Sequence, residues 1–349
     1  MKGRQVVLGQ LFGAEAAALM EDGQLVDLLV DAGALAPLVP GDICRGVVER
    51  LMKGQGGVFL RLPEGQRGYL RDRSGLREGQ SLLVQVTGVA SEGKAVPVTA
   101  RILLRGRHVL VTPGAPGINV SRRIRDEGAR AQLAALGAAA RPPERTGIII
   151  RSIAEAADPD EIAEELRGLL DLSARIGGEA DGSPELLLGA PSPHDLAWME
   201  WSDPEPDAVE EGEDSFARCG VLEAVDALLA PEMSLPGGAH AVIEPTRALV
   251  AIDVNTGNDT SPAAALKADI ALARDLPRQL RLRGLGGQVV IDFAPIPKRD
   301  RATLDQVLGA AFRGEGAETS LIGWTAMGLY EINRKRDRIP LRRLAKGAG

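Results

Sequence analysis

The chain has 349 residues, of which 44% are hydrophobic and 26% are charged, and its formal net charge is −7. This composition is typical of a soluble globular protein with room for two or three domains, and no apolar run is long enough to span a bilayer. The first ten residues lack the apolar core of a signal peptide, so we expect a cytoplasmic protein with no membrane partner.

Cysteines and histidines are too few for a zinc cluster. Cys44 and Cys219 lie far apart and form no Cys-x-x-Cys pair, and the chain has only three histidines. Two buried thiols are the simpler interpretation. A catalytic metal would have to be held by carboxylates, which favours magnesium, with manganese as a possible substitute, and no zinc is expected.

Charge is distributed unevenly along the chain. Residues 203–214 carry seven acidic side chains, whereas residues 334–346 carry seven basic ones. A binding face can be basic although the whole protein is acidic. From charge alone, a solvated surface or a frayed tail is the preferred interpretation of either run.

The first hundred residues predict strands. Apolar segments at 5–8, 16–20 and 25–30 are interrupted by Asp22-Gly23, which is a hairpin signal. Five short segments follow at 43–51, 57–62, 67–70, 81–89 and 96–104. Their number and glycine spacing favour a small barrel over a sandwich.

Phe59 and Tyr69 are candidate RNA-stacking residues within this barrel. The chain has only five Phe and two Tyr, and each of these two lies in a short predicted strand. An OB-type barrel presents aromatic side chains to bases and basic groups to phosphates. The alternative is that both rings fill the barrel core.

The middle of the chain predicts mixed structure. Strands are expected at 109–111 and 147–151, a rigid loop at 112–117, and helices at 126–140 and from Pro159, with Asp158 as N-cap. Residues 177–212 are rich in Gly, Pro, Ser and acidic residues, so they are predicted to be a linker, and 216–229 predicts one helix.

A strand–helix–strand unit is predicted near the end of the chain. Residues 248–255 and 288–293 are apolar strands, and a long helix begins at Ser261-Pro262, ends at Gly284 and should be kinked or split at Pro277. Such a crossover places the two strands parallel. A helix at 303–312 and a strand at 320–327 follow.

Asp253 and Asp292 occupy matching places in these two strands. Carboxylates in an apolar strand are costly unless they are paired or bind a metal, and a divalent cation would relieve their mutual repulsion. Asn255 points to the same face as Asp253, because side chains alternate along a strand, and could orient a phosphate or a water. Alternatively, each aspartate caps the next helix or pairs with an arginine.

Several segments of this region resemble the ribonuclease E/G family. They are residues 251–255 (AIDVN), 278–293 (RQLRLRGLGGQVVIDF) and 327–336 (MGLYEINRKR). The resemblance implies that Asp253 and Asp292 coordinate one magnesium ion and that Asn255 assists at the scissile phosphate.

The resemblance extends through the rest of the chain. It implies that Phe59, Tyr69 and Lys94 contact RNA. Residues 121–124 (SRRI) and 150–152 (IRS) are similar to the segments that cup a 5′-monophosphate. The implied 5′-phosphate sensor consists of Gly106, Leu110, Arg122, Arg151 and Ser152, although both arginines could instead form surface salt bridges.

The implied fold class is a multi-subdomain α/β protein. Residues 1–36 would begin a ribonuclease-H-like support, 37–100 an S1-type OB barrel inserted in the sensor region, and 101–177 that 5′-sensor region. Residues 178–228 would be a linker with the second part of the support, and 229–349 a DNase-I-like catalytic subdomain.

The sequence also departs from the family pattern. Residues 1–349 do not contain the family's zinc link and small dimerisation domain, its second acid after Asp292 is missing in Phe293-Ala294-Pro295-Ile296, and Ser152 replaces a threonine. We expect a monomer or a dimer that zinc does not link.

Two functions are consistent with the sequence. The first is a magnesium-dependent endoribonuclease that cleaves single-stranded RNA in processing or decay and favours 5′-monophosphorylated substrates. The alternative is a catalytically inactive, RNA-binding regulatory protein derived from the same family. The presence of both aspartates and Asn255 favours the enzyme.

Overall fold

The computed structural model describes residues 3–52, 56–71, 75–90 and 93–347. Strands β1 (Arg4–Leu11), β2 (Ala14–Glu21) and β3 (Gln24–Val30) form an antiparallel meander. Asp22 and Gly23 join β2 to β3 with φ angles of 48° and 80°, and two successive positive φ values are what a two-residue hairpin turn requires. The predicted hairpin is confirmed.

Five strands close into a barrel. They are β4 (Ile43–Leu51), β5 (Val58–Arg61), β6 (Arg67–Leu70), β7 (Ser81–Val86) and β8 (Val96–Thr99), with a 3₁₀ turn at Pro63–Gly65. The order is β4-β5-β6-β8-β7, and pairing of β7 with β4 closes the ring. Its core includes Val58, Leu60 and Val84. The predicted barrel is confirmed and is consistent with an OB-type barrel.

A four-stranded sheet follows the barrel, in the order β11-β12-β10-β9. The elements are β9 (Leu104–Arg105), β10 (Val109–Pro113), β11 (Gly117–Val120), α1 (Glu127–Ala139), β12 (Thr146–Ile150), a 3₁₀ turn at Ser152–Glu155 and α2 (Pro159–Gly178). Asp158 caps α2 by accepting a hydrogen bond from the backbone of Asp160, and Pro159 is its first residue, as predicted. Strands β9 and β11 were not predicted.

The predicted linker at 177–212 is wrong. This part contains β13 (Glu185–Leu188), α3 (Pro193–Trp201) and β14 (Ala208–Glu210). Strand β13 pairs with β4 and β14 pairs with β1, while Ala197 and Trp201 are buried against β1 and β2. A few apolar anchors and backbone pairing therefore order a segment whose composition is polar.

The segment at 216–229 is not the single continuous helix that was predicted. It is two helices, α4 (Ser215–Arg218) and α5 (Val221–Leu229). Gly220 separates them with a φ of 74°, a left-handed conformation that ends a helix.

The last part of the chain is a six-stranded sheet with the order β15-β16-β17-β18-β20-β19. Its elements are β15 (Glu232–Ser234), a 3₁₀ turn at Pro236–Gly238, β16 (His240–Pro245), β17 (Val250–Asn255), α6 (Pro262–Leu282), β18 (Gly287–Asp292), α7 (Lys298–Ala311), β19 (Thr319–Trp324), β20 (Tyr330–Arg334) and α8 (Leu341–Lys346). Strands β17 and β18 are parallel, as predicted, whereas β20 was not predicted. Helix α6 continues through Pro277 as one element, so the expectation of a split is wrong.

Helices α6 and α7 cover only one face of this sheet. Leu272 and Leu276 on α6 and Leu304 on α7 join Ile252 and Ile291 in one core. Residues 251, 253, 255, 288, 290 and 292 point to the opposite face, where they are exposed or half-buried. We call this uncovered side the open face of the sheet.

Partly buried ion pairs connect the first sheet to α6 and to the segment that follows β20. Asp27 on β3 accepts hydrogen bonds from Arg338, and the Arg281 guanidinium lies 3.6 Å away. Burial by itself would raise the pKa of Asp27, but the charges of Arg338 and Arg281 outweigh it and hold that pKa below its usual range.

Two smaller features complete the fold. Cys44 and Cys219 are free and buried, as predicted, and burial raises the pKa of the Cys44 thiol to about 12, so this thiol is unreactive. Of the helices in the described ranges, none has the length and apolar character needed to cross a membrane.

Candidate active site and RNA-contacting surfaces

Asp253 and Asp292 lie side by side at the ends of two neighbouring strands. They are register partners in the parallel pair β17–β18, and adjacent strands are about 4.8 Å apart. Asn255 Nδ2 donates a hydrogen bond to Asp253 Oδ2 at 2.6 Å. The fold therefore brings these three predicted residues together on the open face.

The two carboxylates are exposed rather than buried. The expected burial cost in an apolar strand therefore does not apply, because that cost falls only on side chains facing α6 and α7. Neither aspartate caps a helix, since Ser261 caps α6 and Pro297 precedes α7. Within the described residues neither forms an ion pair with an arginine, so the mutual repulsion of the two carboxylates is not offset by a cation of the protein.

The donor atoms at this position fit a hard divalent cation. Magnesium commonly uses one or two protein carboxylates and retains several waters. No group of three or more His, Cys, Asp or Glu side chains in the described ranges is placed to hold a metal. Two carboxylates and an amide therefore suit a hard divalent cation shared with water and phosphate better than an all-protein cage.

A buried carboxyl lies beneath this site. Asp269 on α6 is fully buried, and its Oδ1 accepts a hydrogen bond from the backbone N–H of Ala294 at 3.0 Å. Burial raises its pKa to about 7, against the lowering effect of that hydrogen bond. Asp269 thus anchors the backbone two residues after Asp292. Sequence reasoning missed it because it is one polar residue in an amphipathic helix.

His240 is a second residue that sequence reasoning missed. It begins β16 and is the register partner of Asn255 on β17, so it shares the open face. Its side chain is half-buried. Sequence reasoning considered the three histidines only as metal ligands, and the strand pairing that places His240 here is not visible in the sequence.

Phe59 and Tyr69 face outward from the barrel. They are register partners on β5 and β6, their ring centroids are 5.8 Å apart, and both rings are half-buried. The alternating residues Val58 and Leu60 fill the barrel core instead. The core-filling alternative for the two aromatic rings is therefore wrong.

Basic side chains also lie on this outer surface; the sequence predicted Lys94 but not Arg67 and Arg50, which lie beside Phe59. The Arg67 guanidinium lies 5.6 Å from the Phe59 centroid and pairs with Glu49. Arg50 is the register partner of Phe59 and is exposed. Lys94 is exposed in the turn that precedes β8. This outer surface combines aromatic and basic groups, as single-strand-binding surfaces do.

The predicted sensor residues are only partly brought together. Arg151 Nη1 donates hydrogen bonds to the carbonyl oxygens of Gly106, at 3.1 Å, and Met199. A Cβ atom at residue 106 would lie 1.9 Å from Glu165 Oε1, so only glycine fits there. Leu110 is half-buried between its register partners Arg105 and Ile149.

Ser152 and Arg122, the other two predicted sensor residues, differ in their contacts. Ser152 Oγ donates a hydrogen bond to Asp203 Oδ2 at 2.6 Å. Arg122 is exposed and, within the described residues, has no hydrogen bond or ion pair to Arg151 or Ser152. The salt-bridge alternative applies to Arg151, whose Nη2 lies 3.6 Å from Glu200 Oε2. Arg151 and Ser152 thus lie beside the carboxylates of Glu200 and Asp203, and we call this cluster, together with Gly106, the Arg151 pocket.

The chain thus combines a closed five-stranded barrel with an α/β sheet that carries paired aspartates at adjacent strand ends. The sequence profile of the Ribonuclease E/G family matches residues 103–209 and 196–337. The chain therefore belongs to the ribonuclease E/G family.

Individual relatives agree with this assignment. Ribonuclease E of Nostoc sp. is 28% identical, over 95% of this chain and 56% of that protein. Ribonuclease E of Synechocystis sp. is 26% identical, over 95% of this chain and 57% of that protein. Ribonuclease G of Escherichia coli is 27% identical, over 92% of this chain and 77% of that protein. The chain thus spans little more than half the length of these two ribonuclease E relatives.

Proposed function

We propose that this chain is a magnesium-dependent endoribonuclease that cleaves single-stranded RNA. The observation that carries the proposal is the register pairing of Asp253 with Asp292, with Asn255 hydrogen-bonded to the first. The names of its relatives, ribonuclease E and ribonuclease G, give the same class of substrate.

Asp253 and Asp292 would hold the magnesium ion through their carboxylate oxygens. When bound there, magnesium would activate water and offset negative charge on the phosphate. Asn255 keeps Asp253 in place through its hydrogen bond and has a carbonyl oxygen left to orient water. Asp269 fixes the backbone after Asp292, which limits where that carboxylate can lie.

The barrel would hold the RNA. Phe59 and Tyr69 would stack on bases, while Lys94 and neighbouring arginines would meet phosphates. Stacking on both rings requires splayed bases, so folded RNA would bind poorly. Residues 37–100 would thus deliver a single strand to the catalytic unit at 229–349.

The Arg151 pocket would recognise the 5′-monophosphate of the RNA, which would make 101–177 the sensor unit. Arginine and a hydroxyl group suit the free oxygens of a terminal phosphate. Pairing of β14 with β1 supports the idea that 178–228 completes the support begun by residues 1–36.

The test is cleavage of a fluorescent single-stranded RNA with magnesium and with EDTA. Cleavage in magnesium only, and loss of cleavage in Asp253→Asn, is the expected result. Glu244→Gln is the matched control, because Glu244 is an exposed carboxylate on the neighbouring strand β16. Equal cleavage by Asp253→Asn and Glu244→Gln would reject the proposed site, and RNA binding without turnover by the wild type would favour a regulatory protein.

A further inference from the structure

Two carboxylates lie in the Arg151 pocket: Glu200, near the end of α3, and Asp203, the first acid of the acidic segment 203–214. Asp203 Oδ2 accepts the hydrogen bond of Ser152 and is 3.9 Å from Arg123 Nη1. Glu200 bridges two arginines, with Oε1 at 2.8 Å from Arg105 Nη1 and Oε2 at 3.6 Å from Arg151 Nη2. The groups suited to a terminal phosphate are therefore already bound to anions of the chain itself.

We propose that Glu200 and Asp203 are specificity-determining residues that occupy the pocket in place of a 5′-phosphate, so that an RNA 5′-monophosphate must displace Asp203 to bind. This inference rests on the proposed function of the pocket. It makes the preference for a 5′-monophosphate weaker than the arginines alone would give.

The fold sets the position of these carboxylates. They lie at the C-terminal end of α3 and just after it, where Trp201 is 5% exposed and Ser202 is 6% exposed. Both are anchored by this buried pair, so they do not belong to a loose tail. Their own side chains are each 37% exposed, which leaves them free to exchange partners with a competing anion.

Charge favours the phosphate in that exchange. A carboxylate carries one negative charge, whereas a phosphate monoester carries nearly two at neutral pH. Arg151 would remain in place when Glu200 moves, because the carbonyls of Gly106 and Met199 hold it. Arg151 is thus already in position to bind a phosphate, whereas the carboxylates of Glu200 and Asp203 can be replaced by it.

The experiment compares binding of two short single-stranded RNAs, one with a 5′-monophosphate and one with a 5′-hydroxyl, in EDTA so that no cleavage occurs. Asp203→Asn and Glu200→Gln remove one charge each and keep the shape of the side chain. Each should raise the ratio of the two affinities by roughly 5-fold, because two like charges about 4 Å apart in water repel by about 1 kcal/mol. Glu205→Gln, an exposed acid two residues after Asp203, should leave the ratio unchanged.

Arg151→Ala separates the inference from the proposed function. If that variant loses a wild-type preference for 5′-monophosphate, but neither acid-removing variant raises the preference, the inference fails and the phosphate pocket stands. If no variant prefers the 5′-monophosphate, both fail, while magnesium-dependent cleavage is judged separately. A lower ratio in Asp203→Asn, with an unchanged melting temperature, would also overturn the inference, because Asp203 would then assist binding.

Discussion

The open face of the last sheet and the Arg151 pocket use their polar groups in opposite ways. Asp253 receives one hydrogen bond, from Asn255, and both aspartates are exposed. In the pocket, Arg151 and Ser152 are already engaged with carbonyls and carboxylates of the chain. A site with unused binding capacity is ready for a ligand, whereas a site that satisfies itself must first release a partner. Mutations should therefore affect activity at the first site, and both stability and 5′-end preference at the second.

The largest expected effect is the loss of cleavage in Asp292→Asn. Removing one of two metal-binding carboxylates should lower the cleavage rate by about 100-fold or more. The melting temperature should stay the same or rise, because the repulsion between Asp253 and Asp292 is reduced. Single-turnover kinetics and thermal melting check both parts. A folded variant with near-normal cleavage would contradict the assignment, and a strongly destabilised one would contradict the comparison.

The second effect concerns the buried layer under the open face. The pKa of Asp269 is raised in the fold to about 7, so the fold favours the protonated form. Its contribution to stability is complete below pH 4 and is lost as pH rises through 7. Wild-type protein should therefore lose about 2–4 kcal/mol relative to Asp269→Asn between pH 4 and pH 8. Urea unfolding gives the free energy of unfolding of both proteins at each pH. If it changes equally with pH in the wild type and in Asp269→Asn, the pKa of Asp269 is not raised by the fold.

The third effect concerns the outer surface of the barrel. Phe59→Ala and Tyr69→Ala should each weaken binding of single-stranded RNA by about 1–3 kcal/mol through loss of stacking. Stability should change little, because neither ring belongs to the barrel core. Fluorescence anisotropy measures the affinity. Leu222→Ala, which trims an exposed apolar residue on α5, is the control and should bind normally. Aromatic variants with unchanged RNA affinity would place the RNA elsewhere.

The smallest effect is the stability change in Arg151→Ala. This variant loses the hydrogen bonds to Gly106 and Met199, so the free energy of unfolding should fall by about 1–2 kcal/mol. Arg122→Ala should leave it unchanged, because Arg122 is exposed and has no such bonds within the described residues. Urea unfolding distinguishes the two. Equal stability of both variants would mean that the pocket is not held together by Arg151.

The sequence predicts the open face better than the pocket, for a physical reason. Two apolar strands joined by one helix favour a parallel, neighbouring pair, which predicts Asp253 near Asp292, and the strand register places the two side by side. No local pattern reports that Ser152 meets Asp203, 51 positions later, across a segment that composition alone marks as a linker. The direction of Phe59 also required the structure, because it depends on which alternating residues of β5 face inward.

The first sheet has a consequence for how the chain folds as it leaves the ribosome. Its strands β1 to β3 are synthesised first, but the fourth strand, β14, follows some 200 residues later, where Gln5 pairs with Ala208. Arg338, whose guanidinium binds Asp27, is synthesised later still, 311 positions after Asp27. Arg281, the second cation beside Asp27, also lies in the last part of the chain, so the ion pairs of Asp27 form only after that part has been made. The part of the protein that is made first is therefore the part that is finished last.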